Sequence, residues 1–278
     1  MYGETMTLIL LLVLGYTTHQ GLHNPAVQHK YLFSTEAIRL RRQWIRLVSP
    51  AFLHANWGHF AGNALTLFFF GRGLERALGP EALLGIFFLC VAGGHALCLS
   101  LHRQGDYRAL GASGGTLGLL FFAIFCFPGM SIMLFPLPIP IPAWFYAIGY
   151  LAYTLRGLHA GFGGVSHEAH LGGAVSGVLL SLLYFPDRAL AQPLLFAAVL
   201  ALGGAGIWYF HANPGRVPGF LRYRLRGLMG QIRHRQSARE ETEIDALLDK
   251  IAREGLQSLT EREKKLLQSA SRKRKERA

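Results

Sequence analysis

Four polar side chains interrupt a largely apolar chain in a pattern suited to acyl transfer. They are His59 and Asn63 in "WGHFAGNALTLFFF", Ser113 in "LGASGGTLGLLFF" and His170 in "SHEAHLGGAVSGVLL". Each cluster lies near the start of a membrane-length hydrophobic run, where a polar group is costly and by default marks function. A serine hydroxyl is a weak nucleophile until a base removes its proton, and the imidazole of His170 is the candidate base. Gly111 and Ala112 precede Ser113, and Gly114 and Gly115 follow it; such small neighbours expose the hydroxyl. His59 and Asn63 are four residues apart, so one helix face carries both. They can aim donors at one point, as a developing oxyanion requires. No aspartate lies on an apolar run to complete a triad, and Glu168 is two helical positions from His170, on another face. A Ser–His dyad is what remains, with His54 in a supporting place.

Taken singly, each residue has a structural alternative. His59 can bond between helices, Ser113 can cap a helix, and His170 can be a satisfied core histidine. Histidines also ligate metals, but no carboxylate or thiolate completes a set around His54, His59 and His170. No metal and no cofactor are expected.

The elements that must position these residues are membrane spans. A bilayer core requires about 20 apolar residues per helix. Such runs fall near 5–21, 57–74, 81–101, 112–127, 141–157, 168–185 and 189–210. The first reads as a retained span, since no basic flank precedes it and no cleavage site follows. Charged, glycine-rich or proline-rich stretches separate the runs, the richest being "FPGMSIMLFPLPIPIP". Gly114 with Gly118, and Gly173 with Gly177, have the Gly-x-x-x-Gly spacing of closely packed helices. Spans alternate in direction, so the second, fourth and sixth all start at the same membrane face. His59, Ser113 and His170 are then gathered just beneath that face.

Composition agrees. Of 278 residues, 51% are hydrophobic and only 16% charged, against about 25% charged in a soluble domain. Residues 211–278 hold 17 Lys+Arg and 9 Asp+Glu, so +8 of the net +12 lies in the tail. Cys90, Cys98 and Cys126 sit in apolar runs and read as buried thiols, not a disulfide framework. The connection 22–56 mixes basic residues with Trp44, Phe52 and Trp57, as interfacial segments do. The tail carries apolar positions 244, 247, 248 and 251 at helical spacing, then a capping-box start at Ser258 or Thr260, and ends in "RKRKER". The expected fold is an all-α polytopic membrane protein. A six-helix core occupies 1–187, a seventh span 188–210, and a basic, partly helical extramembrane tail 211–278.

These motifs, in this order, resemble the rhomboid family of intramembrane serine proteases over roughly residues 44–185. The matching pieces are "WIR" at 44–46, "HANWGHFAGN" at 54–63, "GLERALG" at 73–79, "GASG" at 111–114 and "AHLGGAVSG" at 169–177. No catalytic position departs from the family pattern. The resemblance implies a six-helix rhomboid-like bundle with Ser113 as nucleophile and His170 as general base and acid. His59, Asn63 and the Ser113 N–H would bind the oxyanion, with His54, Gly111 and Gly114 in support. It also implies a lateral gate in the fifth span, carrying Trp144, Phe145 and Tyr146, and a cap over the site from loop 157–166. Partners would be transmembrane protein substrates and the lipid bilayer, with no nucleic acid, and the location an integral cell membrane. Two other functions fit the clusters less well: a non-catalytic membrane-protein binder, which would be expected to lack Ser113 or His170, and a transporter, whose polar residues would lie at the midplane. Loop charge opposes the family's orientation. Eight Lys+Arg lie in the site-side loops against three opposite, and the positive-inside rule favours the reverse.

Overall fold

The computed structural model describes residues 3–103, 105–133, 139–160, 165–213, 244–260, 263–264 and 267. The chain divides into two compact units, 1–223 and 224–278. Each of the seven apolar runs forms a helix. In the first unit these are α1 (Thr5–His23), α4 (Trp57–Thr66) continuing through a π turn (Leu67–Gly71) into α5 (Arg72–Leu78), α6 (Pro80–Leu101), α7 (Ser113–Cys126), α8 (Ala143–Ala160), α9 (His167–Tyr184) and α11 (Pro193–Ala212). Three of them, α1, α6 and α11, are long and apolar enough to cross a membrane by length and composition alone. Others are interrupted by ionisable residues: α5 has Arg72, Glu75 and Arg76, and α9 has His167, Glu168 and His170. The protein is an all-α, multi-pass integral membrane protein.

The centre of the unit is α7, whose residues from Gly114 to Cys126 are all buried. A helix that is apolar all round belongs in a core. One side packs with Leu10, Leu14, Leu74, Ile86 and Phe87 from α1, α5 and α6. The other packs with Leu151, Leu171, Val178 and Val199 from α8, α9 and α11. Helices α6, α7 and α9 meet closely because glycines line the seams. A Cβ on Gly173 would overlap the Gly114 backbone, and one on Gly177 the Gly118 backbone. Both glycine pairs read from the sequence thus lie in one seam.

The second span departs from the sequence expectation. It reaches Leu78, and Asn63, Leu67, Gly71 and Glu75, with Leu74 beside the last, form a buried stripe at four-residue intervals. A regular helix of 3.6 residues per turn would rotate that stripe away from the core by about 40° at each step. The π turn takes up the excess. Its far end is anchored: Glu75 accepts from the Met6 N–H at 2.8 Å, the Thr7 N–H at 2.7 Å and the Thr7 hydroxyl at 2.6 Å. That buried carboxylate satisfies donors at the start of α1. Glu4 pairs with Arg72 and, at 2.9 Å, with Arg76.

The connection after α1 is folded. It contains α2 (Pro25–Tyr31) and α3 (Thr35–Arg41), capped by the side chains of Asn24 and Ser34, then two 3-10 turns. A short strand β1 (Phe33–Ser34) pairs antiparallel with β2 (Arg108–Ala109), joining this connection to the one that precedes Ser113. Leu40, Trp44 and Ile45 of the connection remain exposed, as an interfacial segment requires. On the opposite face β3 (Ser131–Met133) pairs with β4 (Pro140–Pro142); Pro136 and Pro138 lie outside the described residues. A short helix, α10 (Pro186–Leu190), leads into α11. The second unit has a helix over 244–254 that ends at Gly255, where φ is +82°. Thr260 and Glu263 form the expected capping box, with Thr260 N–H donating to Glu263 at 2.7 Å and Glu263 N–H to Thr260 Oγ1 at 3.3 Å. The terminal "RKRKER" lies outside the described residues.

Candidate active site

The starts of α4, α7 and α9 converge. Gly111 holds a positive φ of +131°, and a Cβ there would come within 2.7 Å of the His59 ring. Glycine is therefore required on both conformational and steric grounds. Its N–H donates to the Pro50 carbonyl at 2.9 Å. One residue on, Ala112 N–H points at His54 Nε2 at 3.5 Å, while His54 Nδ1 meets the Thr18 hydroxyl at 2.8 Å. Those two bonds make Nδ1 the protonated nitrogen of a neutral ring. Ser113 follows as the first residue of α7 and is half-buried, whereas every later residue of that helix is enclosed. At 14 residues α7 is about 21 Å long, shorter than a hydrocarbon core of about 30 Å. A serine at its end can therefore lie below the lipid surface.

Across the seam, a Cβ on Gly114 would sit 3.2 Å from the Ala169 carbonyl. The turn bearing Ser113 thus faces the turn bearing His170. Among the described residues no hydrogen bond joins Ser113 Oγ to His170; such bonds often tighten only with substrate present. His170 Nδ1 meets the Tyr150 hydroxyl at 2.8 Å, so Nε2 is the nitrogen left for chemistry. Tyr150 escaped the sequence reading because an aromatic in an apolar span normally reads as packing. It stacks on Tyr146 with ring centroids 5.7 Å apart, and a side chain on Gly157 of the same helix would overlap the His167 ring. The available clue was the spacing of Tyr146, Tyr150, Thr154 and Gly157 along one face of α8.

Asn63 is oriented at both ends of its amide. Its Oδ1 accepts from Thr116 of α7 at 3.2 Å, and its Nδ2 donates to the His59 carbonyl at 3.1 Å. The second Nδ2 proton remains for a ligand. The His59 and His54 rings meet edge to face at 5.1 Å. Glu168 turns away from His170, as its helical offset implies. It meets His102 at 2.9 Å and the Tyr107 hydroxyl at 3.2 Å, and Tyr107 also donates to Ser166 at 2.9 Å. This network holds the start of α9 against the end of α6. Trp144 and Phe145 are exposed on α8 and Tyr146 is partly buried. Of the expected loop 157–166, residues 157–160 are instead the last turn of α8, and 161–164 lie outside the described residues. Among the described residues no group of three or more His, Cys, Asp or Glu is arranged to hold a metal.

Burial, reinforced by the neighbouring His59, lowers the His54 pKa from 6.5 to about 3. The unfolded chain takes up that proton near pH 6.5, the folded protein only near 3. The His54 contribution to stability is therefore complete above about pH 6.5 and is lost progressively as pH falls toward about 3. Thermal unfolding in detergent measures this. The His54→Gln melting temperature should fall less than that of the wild type between neutral and acid pH, and parallel curves would contradict the assignment.

Residues 41–187, more than half of the chain, match the family described as the rhomboid domain. Residues 234–273 match a family of unknown function, DUF6576. The chain is 30% identical over 208 residues to Rhomboid protease AarA of Providencia stuartii, covering 65% of this chain and 72% of that protein. It is 30% identical over 139 residues to Rhomboid protein 1, mitochondrial, of Saccharomyces cerevisiae, covering 49% of this chain and 40% of the relative. It is 31% identical over 144 residues to RHOMBOID-like protein 12, mitochondrial, of Arabidopsis thaliana, covering 46% and 43%. The chain thus spans about two fifths of the length of those two mitochondrial relatives. Fold and site architecture define a polytopic helical membrane protein with a polar cluster under one face. Within that class, the chain belongs to the rhomboid family.

Proposed function

We propose that this protein is an intramembrane serine endopeptidase that cuts transmembrane segments of other proteins. One observation carries the reading: the glycine seam between α7 and α9 sets the turn of Ser113 against the turn of His170. Ser113 Oγ attacks the scissile carbonyl while His170 Nε2 takes its proton. The Tyr150 hydroxyl accepts from His170 Nδ1–H, which fixes the tautomer with a free Nε2 lone pair. It thereby takes the orienting place that an aspartate holds in a triad. The oxyanion is stabilised by His59, the Asn63 amide and the Ser113 N–H. His170 returns the proton to the leaving amine, and water then hydrolyses the acyl-enzyme. Residues 1–187 are the catalytic core and α11 is an added span. Substrate helices enter beside α8, past Trp144 and Phe145, and the membrane is a cell membrane.

Fluorophosphonate labelling of the purified protein tests nucleophile activation directly. Wild type should label and Ser113→Ala should not. Label on both or on neither would overturn the proposal, and no label on the wild type would point to a non-catalytic binder. Asn63→Ala should lower the turnover of a helical substrate by about a hundredfold to a thousandfold with the melting temperature nearly kept. An unchanged rate would remove Asn63 from the oxyanion site.

A further inference from the structure

A second polar site lies outside the Ser113 cluster. Arg41, Arg46 and Arg108 line a shallow, solvent-open pocket, together with His29, Glu36 and Asp106. Arg46 is only 7% exposed. Its Nε donates to Gln43 at 2.6 Å, and its Nη1 to the carbonyls of Leu32 at 2.5 Å and His29 at 3.1 Å. Among the described residues no acceptor meets Nη2. Arg46 is thus held by three bonds, and its remaining N–H pair opens to the pocket.

The carboxylates present do not fill that role. Asp106 already accepts from the Ser34 hydroxyl, the Glu36 N–H and Arg108 Nε. Glu36 is exposed. Three guanidiniums against two carboxylates leave the lining positive. Burial lowers the Arg46 pKa, Asp106 opposes that shift, and Arg108 and Arg41 add to it. An added anion would relieve this repulsion. Planar guanidinium forks match phosphate oxygens.

The surroundings indicate which phosphate. Leu40, Trp44 and Ile45 flank Arg41 and Arg46 in sequence, and they are 75%, 55% and 67% exposed. Free phosphate has no use for such a border, whereas acyl chains do. We propose that this pocket binds the phosphate of an anionic phospholipid headgroup, with the acyl chains lying along Leu40, Trp44 and Ile45. The proposal is independent of the protease reading.

The test is native mass spectrometry of the full-length protein, delipidated and titrated in detergent with phosphatidylglycerol or phosphatidylcholine. Wild type should retain phosphatidylglycerol in preference to phosphatidylcholine. Arg41→Gln/Arg108→Gln should bind it about thirtyfold more weakly, since each basic residue near a lipid surface contributes about a fivefold factor. Both side chains are exposed, so folding should survive, and an unchanged melting temperature verifies it. Arg156→Gln, on an exposed residue of α8, should change nothing. Equal retention of the two lipids, or equal affinity in wild type and double variant, would overturn the proposal. So would displacement of the lipid by an equal concentration of inorganic phosphate, which would identify a site for the free anion.

Discussion

His170→Ala should slow cleavage of a transmembrane substrate by about six orders of magnitude, the scale seen when a serine hydrolase loses its base. Without the imidazole, Ser113 has no group to take its proton, and the donors at His59 and Asn63 have no oxyanion to receive. The variant also leaves the Tyr150 hydroxyl without its 2.8 Å partner. Losing that hydrogen bond costs about 0.5–1.5 kcal/mol, so the protein should remain folded but melt lower. Tyr150→Phe separates orientation from proton transfer. It keeps the imidazole and should cost about tenfold to a hundredfold, the range of a general base that is present but less well held. Time courses in detergent and in proteoliposomes measure both rates. A His170→Ala protein cutting within about tenfold of wild type would end the dyad assignment.

The second large effect concerns packing. Gly173→Val should unfold the protein or lower its stability by at least about 3 kcal/mol. A side chain there meets the backbone of Gly114, and backbone cannot move aside as a flexible side chain can. The two helices must part, and they are the helices that carry Ser113 and His170. Activity should therefore fall with stability. Gly149 supplies the control. It lies on α8, and the space a Cβ would occupy there is open, with nothing within 4 Å. Gly149→Ala should then be neutral or stabilise by about 0.5–1 kcal/mol through helix propensity. Thermal unfolding of the two variants beside wild type decides the matter: similar melting temperatures would show that the seam tolerates expansion.

Much of this fold is legible in the sequence because bilayer thickness fixes span length and alternation fixes which ends meet. That is why seven runs and the convergence of residues 59, 113 and 170 could be read in advance. Gly114, Gly118, Gly173 and Gly177 were likewise visible as two spaced pairs. What stayed hidden depends on partners far away in sequence. Glu75 looks like charged punctuation between spans until Thr7, 68 residues earlier, is seen donating to it. Glu168 could be turned away from His170 by helical offset, but nothing local named His102 as its partner. Tyr150 was concealed by its own span, where tyrosine and phenylalanine are common. The π turn was missed because helical reading assumes a period of about 3.6.

That turn has a consequence for how the second span can change over evolution. Counted as regular helix, Asn63 and Glu75 are twelve residues apart and would diverge by about 120° in azimuth. The extra residue at Leu67–Gly71 brings them back to nearly one meridian. The same rod can then offer its amide to α7 near one lipid face and its carboxylate to α1 near the other. Losing that one residue would leave eleven residues of regular helix and nearly the same alignment, whereas any further loss or gain would turn the amide and the carboxylate apart by about 100°. Length variation among descendants of this chain should accordingly be borne by the connections, while the interval from 63 to 75 keeps either its present length or one residue fewer.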